Sequence, residues 1–165
     1  RLSLVGSEMC IRDRSPNSVS MPGTEANAMK NYYPGDMYVD WLGVSCYPPS
    51  LSATYPEERR YPLTLMQGIK QVSADKPIMI SEGGYSSTCD HQRWVREWFK
   101  LKDEEPRVKA VVWENHENAE NGDRRLQSDP LALELYKELV QDPYWLDLIP
   151  DAVYSEIETR KNNSK

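Results

Sequence analysis

Three short β-prone runs, each followed by enough chain for a helix, constrain this chain more than anything else in it. The first is Tyr38-Val39-Asp40-Trp41-Leu42-Gly43-Val44-Ser45-Cys46-Tyr47, closed by Pro48, Pro49 and Ser50. Pro77 to Ser81 is the second and leads straight into Glu82-Gly83-Gly84; Arg107 to Trp113 is the third. Between them, Leu63, Leu65, Met66 and Ile69 fit one helical face. Trp94, Val95, Trp98 and Phe99 form a stripe that predicts an amphipathic helix over Asp90 to Leu101. Ser128-Asp129-Pro130 supplies a cap and a first-turn proline for a helix over Leu131 to Val140. Strand–helix units at roughly 30–40-residue spacing are the rhythm of a parallel α/β sheet. Three parallel strands alone leave open edges, so a larger sheet or a barrel is the natural parent.

Composition narrows the partners. With 165 residues and a net charge of −6, the chain is ill-suited to nucleic acid or an anionic membrane surface. No apolar run reaches the roughly 20 residues of a membrane helix. The aromatic set is lopsided, 10 Tyr and 5 Trp against one Phe. Tyr and Trp offer a flat apolar face with a polar handle, which suits sugars as well as core edges. The placement of Cys46 and Cys89 near one sheet end allows a bridge, with buried free thiols the expected state. His91 and His116 lack metal-ligand spacing and read as polar surface or cleft edge, so no metal and no cofactor is expected. Nucleotide-binding glycine loops, the GxSxG elbow and HExxH are all absent.

Glu82 carries the chemistry. A carboxylate at the C-terminal end of a buried parallel strand points at the mouth where active sites of β/α folds collect. Tyr47 ends the first strand and Trp113 the third, so a phenol, a carboxylate and an indole converge at one rim. The phenol can hold the carboxylate by a hydrogen bond, and the indole can stack on a sugar ring. The plainer alternatives are a capping or ion-paired Glu82, a Tyr47 hydroxyl bonded to backbone and a Trp113 at the core rim.

The run Tyr33-Pro34-Gly35-Asp36-Met37-Tyr38-Val39-Asp40-Trp41-Leu42-Gly43-Val44-Ser45-Cys46-Tyr47 resembles the YPGDxYVDWxGxxxY signature of glycoside hydrolase family 26, best known for endo-β-1,4-mannanases. Lys76 to Glu82 is similar to its KPxMxxE strand, and Lys109 to Trp113 to its KAxxW strand. Asp123 to Ser128 is similar to a D-W-R-I-D-S segment, from which Arg124 and Gln127 depart. The resemblance covers about residues 15–145. It implies a retaining (β/α)8 barrel (TIM barrel) of which this chain is the C-terminal part, strands 6–8 with their helices. It further implies Glu82 as nucleophile, Tyr47 as the residue that orients it, Trp113 beneath the sugar, and β-mannan or a related β-glycan as substrate.

The acid/base glutamate of that family ends strand 4. Here only Glu25, in a loop, and Glu8 precede the first motif. The chain alone is therefore expected to be poorly folded and inactive. Residues 1–14 match no structural template, and Val5 to Arg14 resembles translated sequencing-adapter sequence. The expected layout is thus a non-native or disordered segment 1–14, a partial barrel 15–145 and a C-terminal tail 146–165. The acidic run Glu114-Asn115-His116-Glu117-Asn118 also departs from many relatives, which leaves xylan and mixed-linkage glucan open as substrates. Two alternatives compete: a non-catalytic polysaccharide-binding relative, and a self-contained flavodoxin-like domain. A polymer substrate implies a secreted or cell-surface location for the complete protein.

Overall fold

The computed structural model describes residues 13–48, 60–87, 89–118 and 122–146. The expected adapter-like segment as far as residue 12, the turn at Pro49 and Ser50, and the tail beyond residue 146 lie outside the described residues. The backbone is mixed α/β, with a parallel sheet of β1 (Asp13–Arg14), β2 (Trp41–Cys46), β3 (Ile78–Gly83) and β4 (Val108–Trp113). The strands lie side by side in chain order, β1-β2-β3-β4. Four α-helical segments are described, α1 (Pro62–Leu65), α2 (Gln67–Lys70), α3 (His91–Glu104) and α4 (Pro130–Leu139), along with short 3-10 turns. A two-stranded hairpin, β5 (Glu117–Asn118) with β6 (Gly122–Asp123), follows the sheet.

Among the described residues the strands follow chain order with no reversal, so no switch point of the doubly wound kind lies among them. α3 packs against both α1 and α4, so these three helices share one layer on one face. Under that layer lie Leu42, Val44 and Cys46 of β2, Ile78 and Ile80 of β3, and Val108 of β4, all fully buried. Trp94, Val95, Trp98 and Leu101 of α3 fill the space against them. Each such aliphatic side chain contributes about 1.5–3 kcal/mol by leaving water.

The helix ends follow their caps. Asp90 Oδ1 accepts from the Arg93 N–H at 2.9 Å and starts α3 at His91. Asp129 Oδ1 accepts from Leu131 and Ala132 N–H at 3.0 and 3.1 Å, with Pro130 in the first turn of α4. The single helix expected across Leu63 to Ile69 is instead split at Met66 into α1 and α2. One boundary also moves: Asp13 and Arg14, expected to fall outside the fold, pair with Trp41 and Leu42 as an edge strand. Both Cys46 and Cys89 are free thiols, so the bridge their placement allowed is not formed.

The front half of the Tyr33–Tyr47 run builds a turn. Tyr33 donates to Asp36 Oδ1 at 2.6 Å across Gly35, whose φ of +107° is a backbone state that side chains disfavour. Burial, then the Asp36 carboxylate, pushes the Tyr33 phenol up to about 12. Met37 and Tyr38 are exposed on this turn, at the N-terminal entrance to β2. Only the back half of the run, the strand itself, reaches the other end of the sheet. Among the described residues, no helix is long and apolar enough to cross a membrane.

Candidate active site

Side-chain alternation decides what the C-terminal ends of the strands present. In β2 the buried Cys46 takes the helix side, which turns Tyr47 to the other face. Strict alternation in β3 would bury Glu82 beside Ile78 and Ile80. The β2–β3 pairing breaks register at Val44/Ser45, and the β3–β4 pairing breaks it between Ile80 and Gly83. Such irregularities re-aim side chains. Gly83 is buried and Glu82 is exposed. A Cβ on Gly83 would lie 2.5 Å from Cys46 O and 2.5 Å from Trp98 Cη2, so glycine is what lets the strand turn its carboxylate outward.

Tyr47 and Glu82 are brought together. Burial, then the Glu114 carboxylate, then that of Glu82, pushes the Tyr47 phenol far above its usual range. Its buried hydroxyl closes no hydrogen bond of standard geometry among the described residues. Trp113 is placed differently. Its indole packs edge-on against Tyr85, Trp98 and Tyr136, with centroids 5.2, 5.3 and 5.7 Å away. Its Nε1–H donates to the Arg124 carbonyl at 3.1 Å. The ring is half-buried and faces the helix layer.

Two residues outside the expected trio complete the cluster. Glu114 follows Trp113, with its N–H on Gly83 O at 2.8 Å, and turns to the Tyr47 side. Its Oε2 accepts from Arg124 Nη1, and its Oε1 lies 3.2 Å from His116 Nδ1. Arg124 is buried, and its guanidinium carbon sits 4.1 Å from the Tyr47 ring centroid, a cation–π contact. Both residues stood out in the sequence as departures from the family's pattern. Nothing in the spacing showed that the two departures touch each other.

The other flagged groups are occupied elsewhere. His91 stacks on Tyr85 at 3.9 Å, with Nδ1 3.0 Å from Asp129 Oδ2 and Nε2 3.2 Å from Ser86 O. Glu25 sits in a short 3-10 turn and pairs with Lys30 at 2.7 Å.

No family model matches the chain. Endoglucanase H of Acetivibrio thermocellus is 29% identical over 113 residues, covering 66% of this chain and 12% of that protein. Among solved structures, a Cellulomonas fimi endo-β-1,4-mannanase double mutant superposes with a TM-score of 0.50 at 19% identity. That likeness covers 81% of this chain and 31% of the mannanase, and it speaks to the fold alone. The chain thus spans a small part of either protein. The relationship is glycoside hydrolase-like. Within it, an exposed carboxylate beside a buried phenol is an arrangement able to act on a bound electrophile. The carboxylate supplies the lone pair and the phenol the orienting donor.

Proposed function

We propose that this chain is the C-terminal part, about strands 6–8, of a (β/α)8 retaining glycoside hydrolase that cleaves a β-1,4-linked polysaccharide, β-mannan first. The observation that carries this reading is the placement of Glu82 beside Tyr47 on the face of the sheet away from the helices. Sequential parallel strands under a single helix layer support the barrel parent.

In the proposed reaction a Glu82 carboxylate oxygen attacks the anomeric carbon. A carbon–oxygen bond to Glu82 forms as the glycosidic bond breaks, and the leaving oxygen takes a proton from a carboxylic acid side chain of an earlier strand. Water then attacks the glycosyl-enzyme, gives its proton to the same side chain and frees Glu82. Tyr47 orients the nucleophile. Trp113, expected beneath the sugar, turns to the helix layer, its indole held by three core rings and the Arg124 carbonyl, and has no part in the proposed step. The substrate is an extracellular polymer, so the complete protein works outside the cell or on its surface.

Fluorinated glycosides with an activated leaving group test the nucleophile without needing the acid. The complete protein, treated with 2,4-dinitrophenyl 2-deoxy-2-fluoro-β-mannoside or the β-glucoside, should gain one glycosyl mass on the Glu82 peptide. Glu82→Ala should remove both the adduct and about 10⁴-fold or more of the activity on β-mannan. An adduct on another carboxylate, or full activity in Glu82→Ala, defeats the assignment.

A further inference from the structure

Near its upper end β3 carries one residue more than either neighbour. Against β2, Ile80 faces Val44 and Gly83 faces Cys46; against β4, the same two residues face Val111 and Trp113. Ser81 and Glu82 therefore share the room of one residue on both sides, which is a bulge. Ile80 and Gly83 are buried, Ser81 is half-buried and Glu82 is exposed. A bulge leaves its extra residue without a ladder partner, so another contact has to fix the angle at which the strand turns. The Ser81 hydroxyl makes that contact: Ser81 Oγ and Ser15 Oγ lie 2.5 Å apart and share a hydrogen bond that passes over β2. Ser15 directly follows β1, and the chain beyond it is fastened to β2. The Ser45 N–H donates to Pro16 O at 2.9 Å, and the Ser18 N–H donates to Ser45 O at 2.8 Å. The bond crosses β2 at Gly43. A Cβ there would lie 2.8 Å from Ser15 Cβ and 2.9 Å from Ser15 Oγ, so a side chain at this position would drive Ser15 away from its partner. A chance contact between two hydroxyls needs no bare glycine beneath it.

We infer that Ser81 is a positioning residue: its hydroxyl, tied to Ser15 across the bare backbone of Gly43, anchors the bulge of β3 and so aims Glu82. This rests on the reading of Glu82 as nucleophile. Ser81 acts through the backbone of β3 rather than on the sugar. Three features of separate elements then serve one purpose. The extra residue turns the carboxylate out of the strand, the serine pair holds that turn at one angle, and Gly43 leaves room for the pair to meet.

Trapping of the complete protein by the activated fluoroglycoside isolates the attack of Glu82, because the leaving group needs no acid. In Ser81→Ala the trapping rate constant should fall about tenfold. That is less than the roughly 100-fold that a 1 Å misplacement can cost, because the ladder on either side still holds β3. The apparent inhibitor dissociation constant should move less than about threefold, since the serine does not hold the sugar. Ser15→Ala should lower the rate constant by the same factor. The double variant Ser15→Ala/Ser81→Ala should fall no more than about twofold beyond either single change, because both remove one bond. Each substitution deletes a single hydroxyl and leaves the helix-side core untouched, so all three variants fold.

An unchanged trapping rate constant in Ser81→Ala overturns the inference. So do losses that multiply in the double variant, since the two hydroxyls would then act separately. A lower urea midpoint with normal trapping makes the serine pair structural only and overturns it too. A weaker apparent dissociation constant with an unchanged rate constant would make Ser81 a sugar contact instead, and has the same effect. Absence of any Glu82 adduct in the unmutated protein is a separate result. It defeats the nucleophile assignment itself, and the inference with it.

Discussion

Two arginines, one at each end of the sheet, are held in opposite ways. Arg107, below β4, forks onto Glu105 with Nε and Nη2 at 2.9 and 3.0 Å. Its remaining donors reach the Ser73 and Lys70 carbonyls, so it staples the approaches to β3 and β4 together. The salt bridge and bonds from Arg107 hold the Glu105 carboxyl below its usual range. Arg124, above β4, has one carboxylate, one aromatic face and an unmatched Nε. The lower end engages all three guanidinium nitrogens and gains stability. The upper end keeps its charge in place beside a phenol that, among the described residues, itself lacks a partner of standard geometry.

The sharpest way to break the upper end is Gly83→Ala. A methyl there meets a carbonyl oxygen and the Trp98 ring at 2.5 Å, so β3 or α3 has to shift. The expected cost is about 3 kcal/mol, the upper range of overpacking. Because Gly83 is what sends Glu82 outward, fluoroglycoside trapping on Glu82 should be lost as well. Urea unfolding of the complete domain alongside trapping checks both. A stable Gly83→Ala variant with normal trapping would show that the register break does not depend on glycine.

Arg107→Met breaks the lower end. It leaves Glu105, itself only 10% exposed, without its main partner. A fully buried broken pair costs about 3–5 kcal/mol; Arg107 and Lys70 both keep some solvent, so about 2 kcal/mol is expected. The trapping rate on the remaining folded protein should not change. If the unfolding midpoint holds while trapping falls, the two ends are coupled and their contrast as staple and site is wrong.

How much of this could be read from the residues differs between the helix side and the open side of the sheet. The helix side was legible because its signals are local. The Trp94–Phe99 stripe, the Asp90 and Asp129 caps and the β-prone runs each specify their element within a few residues. Even there, the break at Met66 escaped the pattern, since apolar spacing alone does not show where one turn tightens into another. On the open side the strand ends of Tyr47 and Glu82 could be read, but the side each residue takes could not. Trp113 ends β4 as expected and still turns to the core, because the register slips after Val108 and Ile78 set its parity. Arg124 and Glu114 lie on separate elements, and no spacing rule links them. Asp13 and Arg14 gave no strand signal, because an edge pair that short is specified by its neighbour.

The contrast between the two ends sharpens once a third charge is weighed. Asp129 also lies at the upper end, yet it is fully engaged: it caps α4 and receives His91 Nδ1 at 3.0 Å. The bond from the Ala132 N–H first, and then His91, holds its carboxyl below the ordinary range. A depressed carboxyl stabilises the fold at pH values above its unfolded pKa, near about 4, and that contribution disappears as pH falls through the folded value. Asp129→Ala should therefore cost about 1 kcal/mol near neutral pH, the usual size of a lost N-cap. Asp129→Asn, which keeps a capping oxygen, should cost less. The difference in urea midpoint between the unmutated domain and Asp129→Asn should close as pH falls from about 5 toward 3. Trapping on Glu82 should stay within about twofold throughout, because Asp129 serves the helix ends behind the site. A midpoint difference that ignores pH would mean the carboxylate charge is not what Asp129 contributes. A large fall in trapping would mean that the unmatched groups around Tyr47 are not the functional part of the upper end.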